Sequence, residues 1–295
     1  MKPPVFDYVA PTAVEEAVAL LGEHDFDAKI LAGGQSLMPL LNMRLARPSI
    51  LIDVARIPDL DFIRVDDSAV SIGAMTRQRT LELSAEVRER LGLLHDVMHF
   101  IAHPQNRNQG TVGGSLVHAD PAAELPAVAA ALGATFRTLG PDGERDIAVD
   151  DFFVTYLTTS MEPAELLTEI RFPLLPARSG HSVQELARRH GDYALAGVVA
   201  TVTLDDAGRI GDSRIVMFGV GDRPMRAVDA EQSLLGETPG EPVFAAAALK
   251  SIEALDEPLS DVHATAQYRT DLARVLTRRA LTEAAARAAG QGSAE

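Results

Sequence analysis

Two glycine pairs dominate the chemistry available to this chain. They lie in Ala32-Gly33-Gly34-Gln35-Ser36 and Thr111-Val112-Gly113-Gly114-Ser115, with Gly33 and Gly113 80 residues apart. Adjacent glycines permit positive φ and close backbone approach, so neighbouring amide N–H groups can converge on a phosphate. Ser36 and Ser115 each add a hydroxyl donor. The pattern predicts two tight turns with a pyrophosphate held between them. It matches neither Gly-x-x-x-x-Gly-Lys-Ser/Thr nor Gly-x-Gly-x-x-Gly, so neither a P-loop nor a standard dinucleotide fold is expected.

The remaining polar groups carry less. His95, His99 and His103 recur every four residues, but Pro104 takes His103 out of the helical face, and two histidines alone make a poor metal site. His118 and Asp120, just past the second turn, are better placed for a polar ligand contact. Gly34-Gln35-Ser36-Leu37-Met38 lacks the second glycine of a nucleophile elbow. Asp66-Asp67, Asp150-Asp151 and Asp205-Asp206 sit in turn-like contexts. In Arg188-Arg189-His190-Gly191-Asp192-Tyr193-Ala194, Tyr193 could present an aromatic platform to a bound ring. No side chain is assigned a catalytic role and no metal site is expected.

The elements that must position these groups follow from periodicity. A helix is expected after Pro11, capped by Thr12 with Glu15 and ended by Gly22. A strand over 28–32 runs into the first glycine pair, a helix capped by Ser36 extends to Leu45, and a strand follows over 49–54, together a β-α-β unit. Further on, 70–74 reads as a strand, 81–102 as one helix stopped by Pro104, and 103–110 as loop. Asp120-Pro121 signals a helix start, with alanines continuing it to Ala131. The segment 173–180 reads as a linker. Beyond it come strands over 198–204 and 215–220, a turn at Asp205-Asp206-Ala207-Gly208, and helices over 244–255 and 268–289.

Composition narrows the class. There are 42 acidic and 27 basic residues, a net charge of −15, which argues against nucleic acid as a partner. Cysteine is absent, which rules out a disulfide, a thiolate zinc site or an iron–sulfur cluster within this chain. Any redox role then needs an organic cofactor. No apolar run reaches bilayer-spanning length and the N-terminal residues do not read as a signal peptide, so a cytoplasmic chain is expected.

Ile30-Leu31-Ala32-Gly33-Gly34-Gln35-Ser36-Leu37-Met38-Pro39-Leu40 resembles the first FAD loop of the flavin-binding medium subunit of molybdenum hydroxylases, the carbon monoxide dehydrogenase and xanthine dehydrogenase family. The segment 101–116, from Ile101-Ala102-His103-Pro104 to Gly113-Gly114-Ser115-Leu116, resembles its second loop. Asp120-Pro121-Ala122-Ala123-Glu124-Leu125-Pro126 and Arg189-His190-Gly191-Asp192-Tyr193-Ala194 follow in the family's order, and the similarity extends over essentially the whole chain. The resemblance implies an α+β fold with a two-lobed FAD-binding domain of the PCMH/vanillyl-alcohol-oxidase type over 1–177 (lobes about 1–56 and 57–177). A smaller α+β C-terminal flavoprotein domain over 178–290 completes it.

By position, the resemblance makes Lys29, Leu31, Ala32, Gly33, Gly34, Gln35, Ser36, Leu37, Ile101, Gly110, Thr111, Val112, Gly113, Gly114, Ser115, His118 and Glu124 the cofactor lining. Leu166 and Leu167 would add apolar contacts, and Tyr193 would lie near the isoalloxazine. Gln35 stands where several members have His, Ser115 where others have Asn, Glu124 where many have Asp, and Gln184 where some have Lys. The implied role is an electron relay from the 2Fe-2S clusters of a small iron-sulfur partner subunit, through FAD, to an external electron acceptor. A large molybdopterin subunit would hydroxylate the substrate in a dimer of heterotrimers. Missing cysteines agree with that division and exclude the branch whose flavin subunit carries its own cluster. The alternatives are a stand-alone FAD oxidase and a non-catalytic nucleotide-binding assembly module.

Overall fold

The computed structural model describes residues 1–290. The first lobe runs β1 (Asp7–Val9), α1 (Val14–His24), β2 (Ala28–Leu31), α2 (Leu37–Met43) and β3 (Ile50–Asp53). Its sheet has the order β1-β3-β2, parallel throughout. Ala17, Val18 and Leu21 recur at helical spacing on α1, and they bury against Ile50, Ile52 and Ile57. The ends of both helices differ from expectation. The helix α1 starts after Ala13, the Thr12 amide N–H donates to the Glu16 carboxylate at 3.1 Å rather than pairing with Glu15, and the helix continues through Gly22 to His24. Ser36 adopts helical φ and ψ and its hydroxyl caps nothing, while Arg44 at φ 60° ends α2 before Leu45.

The second lobe begins with β4 (Ile63–Val65) and β5 (Ala69–Gly73). A helical stretch follows: α3 (Gln78–Leu83), α4 (Ala85–Arg90), α5 (Gly92–Asp96), α6 (Pro104–Arg107), α7 (Val112–His118) and α8 (Glu124–Leu132). Then come β6 (Thr135–Gly140), β7 (Gly143–Ala148), α9 (Val149–Phe152), the short hairpin β8 (Phe153–Thr155) and β9 (Thr158–Thr159), and β10 (Leu166–Pro173). Five strands form an antiparallel sheet in the order β4-β5-β10-β6-β7. Every residue of α8 is buried, and Phe136 stacks on Phe152 with ring centroids 3.8 Å apart beneath it.

Two expectations are corrected here. The stretch 81–102 is not one helix: Ser84 turns extended and its hydroxyl accepts from the Val87 amide at 3.2 Å, starting α4 afresh, and Leu91 at φ −145° breaks the chain again. Side-chain oxygens of Ser and Asp offer the backbone such local alternatives. The same competition delays the next helix, because Asp120 Oδ1 accepts from the Ala122 amide at 2.9 Å in a turn, and α8 begins only at Glu124.

The C-terminal part holds β11 (Ser179–Ala187), β12 (Ala194–Leu204), β13 (Ile210–Phe218) and β14 (Met225–Arg226) in one antiparallel sheet of that order. The helices α10 (Val228–Leu234), α11 (Glu241–Ser251) and α12 (Ala266–Ala288) follow. Alternation along the strands divides the sheet between two cores. The row Val183, Val199 and Val216, in register across three strands, joins the core of the second lobe with Phe218. Val198, Ala200, Ile215 and Met217 face the other way, against Ala273, Leu276 and Ala280 of α12. A strand buried on both sides reads as a continuous apolar run, as 194–200 does. The connection 174–178 is anchored, with the Leu174 amide bonded to the Ser68 carbonyl at 2.9 Å and Leu174 and Leu175 packed on the core. Among the described residues no helix is long and apolar enough to cross a membrane.

Candidate cofactor site

The first glycine segment leaves β2 and turns before α2. Gly34 sits at φ 71°, a conformation that favours glycine. Among the described residues, no acceptor meets the amide N–H groups of Gly33, Gly34, Gln35 and Ser36. Four successive unused donors in one bend form a concavity for anionic oxygen. Gln35 braces it, donating to the Gly33 carbonyl at 3.2 Å and accepting from Asn106 Nδ2 at 3.2 Å.

The second glycine segment is not a turn, contrary to expectation. Gly113 and Gly114 lie in the first turn of α7, for which Thr111 is the N-cap, its hydroxyl accepting from the Gly114 amide at 3.0 Å. The Val112 amide donates to the Thr76 carbonyl at 3.0 Å and that of Gly113 to the Ala74 carbonyl at 2.9 Å. These donors serve the scaffold. What this segment supplies is thinness, together with the Ser115 hydroxyl. A Cβ on Gly113 would stand 2.6 Å from Ala74 Cβ, and one on Gly114 would stand 2.6 Å from Thr111 Oγ1 and 3.4 Å from Ala32 Cβ. The first glycine segment also meets the loop just before the second, since a Cβ on Gly33 would lie 2.4 Å from the Gln109 carbonyl oxygen.

A buried arginine holds the second loop. Arg107 donates through Nε and Nη2 to the Glu82 carboxylate at 2.8 and 2.9 Å, and through Nη1 to the Ile101 carbonyl at 2.7 Å. Its hydrogen bonds hold the Glu82 carboxyl down at about 2 despite burial. Arg77 donates to the Gln109 carbonyl. Sequence reasoning passed over Arg107 and Glu82. Arg107 stands in the polar run 103–110, which gives no local sign of burial; only its tertiary bonds to Glu82 and the Ile101 carbonyl reveal its role.

The C-terminal domain packs against the second loop at Gly191. Gly191 at φ 82° leaves no room for a side chain, for a Cβ there would lie 2.7 Å from His103 Cε1 and 3.0 Å from the Ala102 carbonyl. Tyr193, just beyond, keeps an exposed ring. Its phenol is pushed above the ordinary value by desolvation and then by the charges of Asp120 and Glu124. Arg269 of α12, itself buried, donates to the Leu195 and Gly219 carbonyls at 2.6 and 2.8 Å and so steadies the strand that follows Tyr193. The Gly219 amide donates to the Pro121 carbonyl at 2.7 Å, tying this corner to the turn before α8.

The other expected residues divide. Lys29 is exposed on β2, and Leu31, Leu37 and His118 are half-buried. Ile101 and Gly110 are buried where the second loop meets the core. Leu166 and Leu167 point into two different cores, the first lobe's and the second lobe's, so their side chains separate. Gln184 faces α12, where its amide donates to Glu283 at 2.7 Å. His95 and His99 meet edge to face at 5.6 Å, with His103 displaced against His190.

Comparison with known proteins decides the family. Residues 4–175 match the FAD binding domain in molybdopterin dehydrogenase, and residues 181–284 the CO dehydrogenase flavoprotein C-terminal domain. The chain belongs to the FAD-binding medium subunits of the molybdenum hydroxylases. It is 45% identical to the 6-hydroxypseudooxynicotine dehydrogenase complex subunit alpha of Paenarthrobacter nicotinovorans, over 98% of this chain and 97% of the relative. The carbon monoxide dehydrogenase medium chain of Hydrogenophaga pseudoflava is 41% identical, covering 98% and 100%. The solved carbon monoxide dehydrogenase of that organism, lacking the Mo-pyranopterin moiety of its cofactor, superposes with a TM-score of 0.94 at 42% identity over 97% of this chain and 99% of that one. FAD as cofactor, the oxidoreductase class and the two-lobed α+β architecture with its C-terminal flavoprotein domain therefore stand. The readings as a stand-alone oxidase or a non-catalytic module find no support among these relatives.

Proposed function

We propose that this subunit holds FAD between Ala32–Ser36 and Thr111–Ser115, and relays electrons from the 2Fe-2S clusters of a small partner subunit to an external acceptor. The observation that carries the placement is the row of unused amide donors at Gly33–Ser36, facing a helix start thinned by Gly113 and Gly114. In this reading the first segment grips the pyrophosphate with backbone N–H groups, and Ser115 adds a hydroxyl from the opposite side. Lys29, Leu31, Leu37, Ile101, Gly110 and His118 line the cleft, with Leu166 and Leu167 contributing through the backbone of β10. Tyr193 borders the ring, and Glu124 stands at the first turn of α8 beside it. When bound, the flavin supplies the two-electron store. The chain's own residues bind it, orient it and tune its surroundings, and none acts as a general acid or base.

The boundary between FAD-binding and C-terminal domains is placed at 177/178. The expected assembly is a cytoplasmic dimer of heterotrimers with a large molybdopterin subunit. The test is to purify the complex from its native operon and read its visible spectrum. A flavin band in the wild type, lost in Gly114→Leu while the partners still co-purify, supports the placement. Full flavin content in Gly114→Leu overturns it.

A further inference from the structure

The polar groups of the first glycine segment are sorted by direction. The Gly33 carbonyl accepts from Gln35 Nε2 at 3.2 Å, the Gly34 carbonyl from the Met38 amide at 3.0 Å and the Ser36 carbonyl from the Leu40 amide at 3.3 Å. The protein holds these carbonyls and leaves the N–H groups of 33–36 over. In a trans peptide the carbonyl and the following N–H point to opposite sides. Securing the Gly33 carbonyl on Gln35 therefore turns the Gly34 N–H away from Gln35. With glycine on both sides of this bond and Gly34 at φ 71°, the peptide plane meets little steric resistance to rotation. Rotated, it would present a carbonyl oxygen where its neighbours present hydrogens. The side chain that prevents this takes its own direction from the second loop. The Gly33 carbonyl can only accept, so Gln35 Nε2 faces it, and Oε1 is left to accept from Asn106 Nδ2 at 3.2 Å. Asn106 is itself fixed on α6. Its backbone N–H donates to the His103 carbonyl at 2.9 Å, its carbonyl accepts from the Gly110 amide at 2.7 Å, and its neighbour Arg107 is locked on Glu82.

We propose that Asn106 is a positioning residue for the FAD pyrophosphate: acting through Gln35, it fixes the Gly33–Gly34 peptide plane so that the Gly34 N–H faces the anion. The inference deepens the placement of FAD argued above and rests on it. A loop rich in glycine gains close approach at the expense of orienting its own peptide planes. Here the orientation is borrowed from α6, which Arg107 anchors to the Ile101 carbonyl. The two loops meet at a second point as well, because a Cβ on Gly33 would stand 2.4 Å from the Gln109 carbonyl oxygen and 2.8 Å from Gly110 Cα. That contact sets how near the loops come. The Asn106–Gln35–Gly33 chain sets which way the peptide between the glycines faces. A carbonyl turned toward the pyrophosphate would repel it, so the chain selects for an anionic ligand.

The test uses the assembled complex, freed of flavin and titrated with FAD, as wild type, Asn106→Leu, Gln35→Leu and the double variant. Each single substitution should weaken FAD binding about 3–10-fold, the worth of one hydrogen bond. The double variant should be no weaker than Gln35→Leu, because Asn106 acts only through Gln35. A purely structural role is separated by the phosphorus NMR spectrum of bound FAD. Its two pyrophosphate resonances should move in Asn106→Leu and move the same way in Gln35→Leu, although neither side chain is a phosphate ligand. Wild-type affinity in Asn106→Leu, independent losses that multiply in the double variant, or unmoved resonances overturn the proposal. Gln35→Leu alters an exposed side chain and keeps the test open if Asn106→Leu assembles poorly, with wild-type affinity and unmoved resonances there overturning the proposal as well. The failures also separate. Full flavin content in Gly114→Leu overturns the placement of FAD, whereas a flavin-free Gly114→Leu with unaltered Asn106→Leu and Gln35→Leu overturns the positioning role alone.

Discussion

At the scale of single residues, burial without compensation marks this site. Arg107 and Glu82 show the compensated case, with a bidentate pair bonded on to the Ile101 carbonyl. Arg107→Met leaves Glu82 with only Arg79 and frees the loop carbonyl, so a loss of about 3–5 kcal/mol is expected by chemical denaturation, with flavin lost first. The same pair sets an acid limit. Glu82 is depressed in the fold to about 2 from 4.5, so its stabilisation is present above 4.5 and vanishes as pH falls through about 2; Glu82→Gln should flatten that acid limb. Glu124 and Glu185 behave oppositely. Their folded values are raised, so their favourable contribution exists below 4.5 and is lost as pH rises through about 7 and about 8. Flavin-free Glu185→Leu should therefore be more stable than wild type at pH 8.5 by about 1–2 kcal/mol, and equal to it near pH 4.5. A Glu185→Leu protein less stable at pH 8.5 would contradict the uncompensated burial.

At the scale of elements, close approaches join the two loops and the C-terminal domain. Gly191→Ala would bring a Cβ against His103 and the Ala102 carbonyl in a left-handed conformation. The Tyr193 loop should then lift from the second loop, at a cost of about 1–3 kcal/mol in thermal unfolding and with brighter flavin fluorescence. Arg269→Leu, which releases the Leu195 and Gly219 carbonyls, should show the same optical change from the opposite side of the sheet. Much of this was legible beforehand. The β-α-β unit, the apolar run of β12, the turn at Asp205 and the helices α11 and α12 all follow from periodicity and turn chemistry. The second glycine pair misled because Gly-Gly denotes thinness as readily as bending. Nothing local distinguishes a glycine that must turn from one that must let Ala74 pass. The broken stretch after α3 was equally hidden, since Ser84 caps a helix only once tertiary packing has halted the previous one.

For the whole molecule, the C-terminal sheet is clad on both faces, by the second lobe and by α12, and polar ties fix it at the rim. Asp96 of α5 accepts from His181 Nε2 at 3.1 Å and from Arg287 Nη1 at 3.0 Å, reaching two elements of the other domain. These contacts hold its carboxyl far below the ordinary carboxylate range against the opposing effect of burial. Asp96→Asn should lower the thermal midpoint by a few degrees, with a smaller difference from wild type in high salt. The contact between Gly33 and the Gln109 carbonyl has a consequence for descent. Each loop forms part of the other's wall, so neither can drift by itself: an added methyl on one side demands a retreat on the other. Substitutions in the two segments should therefore be accepted as pairs, and a chimera that joins the first lobe of one relative to the second lobe of another should fail at this seam before it fails in either core.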